Sequence, residues 1–145
     1  MAQRFHGVSS LILIFLAVAA AWVYLRNLSS TGGLVYLSII IVTAPVILFA
    51  YCAKCTCREN ACSHVFPGKL TRWLPSRNQG SYNFGDYFWT GISLIALLGF
   101  PQIWLWQSKS AFIAFWILLV VGLAEILLLV CPRCKNENCP NCKLG

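Results

Sequence analysis

The sequence predicts an all-α, polytopic membrane protein of four transmembrane helices, arranged as two hairpins whose cysteine-rich segments lie in the cytoplasm. Three observations carry that prediction. Of 145 residues, 59% are hydrophobic and only 10% charged, against about 25% charged in ordinary soluble domains. The apolar residues gather into four stretches, each long enough to cross a bilayer. The basic residues gather in the polar intervals, far more on one side than on the other. A soluble chain of this size could not bury so much apolar surface, so lipid is the expected solvent for most of it. The net charge of +7 belongs to those intervals, where membrane topology signals lie, and nucleic acid is not an expected partner.

Residues 1–51 read as the first transmembrane hairpin. Its first stretch, Val8 to Leu25, follows Arg4 and closes on Arg26. A basic start before an apolar core also opens a signal peptide. No convincing small-residue cleavage site follows, however, and Trp22-Val23-Tyr24-Leu25-Arg26 resembles an interfacial aromatic belt, which favours a retained helix. A turn over Asn27 to Gly33 leads to the second stretch, Leu34 to Tyr51. At about 1.5 Å per residue it crosses about 30 Å of hydrocarbon with little tilt, with a kink expected at Pro45.

Residues 52–86 form a polar, cysteine-rich loop, and residues 87–130 the second hairpin. The third span is expected from Tyr87 to Trp106, broken by Pro101, and a tight turn over Gln107 to Ser110 returns the chain. The fourth, Ala111 to Val130, meets Cys131 without a linker, and residues 131–145 make a tail that carries four cysteines.

With four spans, the amino terminus, the 52–86 loop and the tail share one side. Nine Lys and Arg fall there (Arg4, Lys54, Arg58, Lys69, Arg72, Arg77, Arg133, Lys135, Lys143) and two on the other (Arg26, Lys109). The positive-inside rule then makes the side with both termini cytoplasmic, in an inner or plasma membrane. In that reducing compartment structural disulfides are disfavoured and thiolate–metal coordination becomes the leading role for the eight cysteines. The chain also reads as two similar halves. Cys52-Ala53-Lys54-Cys55, with Arg58-Glu59-Asn60 after Thr56 and Cys57, parallels Cys131-Pro132-Arg133-Cys134, with Asn136-Glu137-Asn138 after Lys135, as in a parallel repeat about an axis along the membrane normal.

The most specific motif is Cys131-x-x-Cys134-x4-Cys139-x-x-Cys142. Each Cys-x-x-Cys pair can bend around an ion, and two pairs supply the four thiolates of a closed tetrahedral zinc site. The local Cys-Pro-x-Cys pattern is similar to the knuckles of zinc ribbons and rubredoxins over those few residues and identifies no family. A dithiol redox pair and incidental thiols are the alternatives. The first cluster, Cys52-x-x-Cys55-x-Cys57-x4-Cys62-x-His64, offers five ligands where zinc needs four. Iron, an iron–sulfur cluster or copper(I), which accepts the low coordination of Cys-x-Cys, are alternatives to Zn2+.

Two carboxylates stand near the spans. Glu125 lies inside the fourth, where a charge costs a few kcal/mol unless it is protonated or paired. It reads either as a neutral, hydrogen-bonded group that holds helices together, against a Trp or Tyr of another span, or as a proton or ion relay. Asp86 stands where the third helix begins, and capping suffices to explain it. Between Val65 and Arg77, Phe66, Leu70, Trp73 and Leu74 fall near one helical face, with Lys69, Arg72 and Arg77 able to reach anionic headgroups, so a surface-lying helix is expected.

No nucleophile elbow, phosphate loop or dinucleotide fingerprint is present in the sequence, and no catalytic residue is assigned. The sequence therefore points to a small membrane subunit or accessory protein of a larger membrane complex, with structural metal sites, the lipid bilayer and other membrane subunits being its partners. A membrane electron-transfer protein and a soft-metal transporter are the alternatives.

Overall fold

Hydrocarbon offers no water to backbone N–H and C=O groups, so a segment that crosses it must bond to itself. The apolar stretches do so as helices. A computed structural model describes residues 2–54 and 82–133, and among them there is no strand. Helix α1 is Ala2–Leu28 and α2 is Ser30–Tyr51, which runs into a single 3₁₀ turn, Cys52–Lys54. Helix α3 is Phe84–Gly99 and α4 the short Gln102–Leu105. Helix α5, Lys109–Glu125, passes into a π-helical turn, Ile126–Val130, and then a 3₁₀ turn, Cys131–Arg133. Four segments are long and apolar enough to span a membrane: Phe5–Leu28, Ser30–Lys54, Phe84–Leu105 and Lys109–Val130. By length and composition this is a multi-pass membrane protein in contact with lipid.

The helix surfaces agree with an apolar solvent. In α3 the buried residues are polar, Asp86, Thr90 and Ser93, whereas Phe84, Phe88, Trp89, Ile92 and Ile95 are exposed. That is the reverse of a helix on a soluble core, and it is the pattern expected where lipid is the outer medium.

Helix α1 packs on both α5 and α2, and α2 packs in turn on α3. The first span thus meets the fourth, and the second meets the third. At the Ser29 turn, Ser29 Oγ accepts from the Gly32 N–H at 3.1 Å and caps α2. Trp22 Nε1 donates to the Gly33 carbonyl at 3.1 Å. A Cβ on Gly33 would lie 2.8 Å from the Arg26 Cα, so glycine is what lets the two backbones meet. The turn expected over Asn27 to Gly33 therefore shrinks to Ser29, with the residues on either side helical. Helix α2 continues through Pro45.

Pro101 has the larger effect. It has no N–H, so the carbonyl of Leu97 loses its helical donor. The Tyr36 hydroxyl donates to that carbonyl at 3.0 Å instead, and the Gln102 side chain donates to the Leu98 carbonyl at 2.8 Å. Tyr36, fully buried, joins Ala17, Val18, Ala21, Leu25, Leu105, Phe115 and Leu119 in the main apolar core.

Candidate functional site at one end of the bundle

Among the described residues the start of α1 meets the end of α5 and the end of α2 meets the start of α3, and α1 packs along α2, which places these helix ends at one end. Three contacts fix this: Lys54 with Asp86, Tyr82 with Tyr51, and Ser9 with Glu125. Cys52 and Cys131, both half-buried, stand at that same end. Each opens a 3₁₀ turn that continues a spanning helix.

One polar cluster closes the α2–α3 seam. Lys54 Nζ donates to Asp86 Oδ2 at 2.6 Å, with the two side chains only 8% and 2% exposed. The Asn83 N–H donates to the same Oδ2 at 3.1 Å, while the Asp86 N–H donates to Asn83 Oδ1 at 3.0 Å. This is a reciprocal capping box at the start of α3. Asp86 thus caps its helix and also holds a lysine from the end of span two. Tyr82 donates to the Tyr51 carbonyl at 3.2 Å, and its ring lies 6.0 Å from the Lys54 ammonium. The charges are paired, bonded and covered, the condition under which a buried ion pair is tolerated. Further along the same face of α3, the Thr90 hydroxyl is buried without a hydrogen-bond partner.

The second cluster lies in the α1–α5 seam. Gly122 brings the helices together there, since a Cβ on it would lie 3.0 Å from Ile14 Cγ1 and 3.1 Å from the Ser10 carbonyl oxygen. One turn on, Ser9 Oγ donates to Glu125 Oε1 at 3.4 Å, and His6 Nδ1 stands 4.0 Å from the same oxygen. Both His6 Nδ1 and Glu125 Oε2 are buried without a hydrogen-bond partner. Glu125 is also the last residue before the π turn, a helix form that is rare and concentrated at functional positions. The facing residues are a serine and a histidine of α1, not the Trp or Tyr of another span suggested by the sequence.

Cys55, Cys57, Cys62, His64, Cys134, Cys139 and Cys142 lie outside the described residues, as does the amphipathic Val65 to Arg77 segment. Among the described residues no three His, Cys, Asp or Glu side chains gather as a metal site. Sequence reasoning missed Lys54, His6 and Ser9. A signal existed for Lys54, a basic residue one turn beyond an apolar helix, matched by an acid at the start of the next span. His6 was passed over because the apolar run opens at Val8, whereas α1 is helical from Ala2. Comparison with known proteins finds no matching family model, no matching curated protein and no matching solved structure.

Proposed function

We propose that this protein is a small subunit or accessory protein of a larger membrane complex, with structural thiolate–metal sites on its cytoplasmic face. Zinc is the metal, held by Cys131, Cys134, Cys139 and Cys142 in the tail and by four of Cys52, Cys55, Cys57, Cys62 and His64 in the loop. The observation that carries this reading is the rigid continuation of spans two and four into the first cysteine of each motif, both at one end of the bundle. A metal bound there clamps helix ends, and its binding energy offsets the cost of ordering segments too short to form a core of their own. In this reading spans one and two, and spans three and four, are each joined by a tight turn on the far side, and both termini are cytoplasmic, in accord with nine basic residues against two. The metal-stiffened end is the docking surface for the partner subunits.

Elemental analysis and optical spectroscopy of anaerobically purified protein test this reading. Stoichiometric zinc in a colourless protein is the expected result, and Cys134→Ser or Cys139→Ser should release metal and lower folded yield. Full metal content and stability in both variants would remove the tail site. Visible absorption with bound iron would replace this reading by electron transfer, since tetrahedral iron thiolate absorbs where zinc cannot.

A further inference from the structure

We propose that His6, Ser9 and Glu125 form a proton-binding site, in which the Glu125 carboxyl and the His6 imidazole share one exchangeable proton. This goes beyond the thiolate sites and does not depend on them. Its warrant is the contrast between closeness and incomplete bonding. The carboxyl and imidazole are 4.0 Å apart, too far for a direct hydrogen bond yet near enough for one water to touch both. Two of their polar atoms, His6 Nδ1 and Glu125 Oε2, are buried with no hydrogen-bond partner from the protein, in side chains 31% and 22% exposed. A buried polar atom left without a protein partner is costly unless a water or a proton serves it. Ser9, at 3.4 Å, contributes a weak bond that orients Oε1 and leaves Oε2 to the proton.

A metal ion fits less well. A closed zinc site takes four ligands, and this cluster offers one nitrogen and one carboxyl. Two ligands of one tetrahedral ion, each bound at about 2.1 Å, stand about 3.4 Å apart, closer than the separation found here. A proton needs only the two groups. The step balances within the pair: the protonated Glu125 carboxyl gives its proton through a bridging water to Nδ1, leaving a carboxylate beside an imidazolium. It requires the imidazole tautomer with its hydrogen on Nε2. The net charge of the pair is unchanged by that transfer, and the attraction between the two opposite charges offsets part of the cost of forming them in apolar surroundings. Uptake of a proton from the bundle end, or release to it, then changes that charge by one. Among the described residues, the groups printed against the Glu125 carboxyl are Ser9 and His6, both from α1. The π turn after Glu125 carries no titratable residue.

Dicyclohexylcarbodiimide, which reacts with protonated carboxyls in apolar surroundings, tests the site on the full-length protein in proteoliposomes. Peptide mapping by mass spectrometry should place the label on Glu125 and leave Asp86, held by Lys54, unmodified. Above its midpoint the labelling should fall about tenfold per pH unit, and His6→Gln should move that midpoint. Glu125→Gln should abolish the label. No labelling of Glu125 at any pH, a flat pH profile, or a midpoint unmoved by His6→Gln would overturn the proposal. So would protection of Glu125 by stoichiometric Zn2+, which would make the cluster a metal site.

Discussion

Asp86 and Glu125 occupy matching places, one where span three meets span two and the other where span four meets span one, both at the polar end. Their surroundings differ. Asp86 Oδ2 accepts from a lysine at 2.6 Å and from a backbone N–H at 3.1 Å, and its side chain is 2% exposed. Glu125 accepts from a serine at 3.4 Å, faces a histidine it does not bond, and keeps a buried oxygen unsatisfied. In one seam the carboxylate serves architecture, tying the end of span two to the start of α3. In the other the helices are held by Gly122 and apolar packing, so the carboxyl remains available for chemistry. Two carboxyls at the same end of the bundle thus acquire different roles from their partners.

Removing one member of the Lys54–Asp86 pair should have the largest effect. Lys54→Met removes the ammonium bonded to the buried Asp86 carboxylate and should cost about 3–5 kcal/mol, read as earlier unfolding of the purified protein in a denaturant titration. Adding Asp86→Asn to Lys54→Met should recover most of that loss, because asparagine keeps an acceptor for the Asn83 N–H while discarding the charge. If the single variant were neutral, the distinction between the two seams would fail.

The smaller effect belongs to Glu125. Its bonds are few and long, so Glu125→Gln should change unfolding stability by no more than about 1 kcal/mol while abolishing carbodiimide labelling. A loss as large as that of Lys54→Met would mean that Glu125 is a structural pin after all.

How much of this the sequence disclosed follows from the range of each interaction. The four spans were legible because length and hydropathy alone decide them, and the cap at Asp86 because a helix start favours a negative charge. The Ser29 turn was misjudged because Thr31, Gly32 and Gly33 look like loop residues. Only the approach of Gly33 to the Arg26 backbone makes glycine right for a helix start. The Lys54–Asp86 pair joins residues 32 apart in sequence, and the Ser9–Glu125 contact residues 116 apart. Local pattern cannot select such pairs, since each depends on which helices pack together. The π turn covers Ile126 to Val130, a run with no Pro or Gly to announce it.

Whether the cysteines can hold metal as thiolates depends on which face of the membrane carries the polar end. Labelling intact cells with a membrane-impermeant thiol reagent, before and after permeabilisation, measures that directly. Modification of the cysteines only after permeabilisation is the predicted result. Modification from outside intact cells, or thiols found cross-linked on the outer surface, would contradict it.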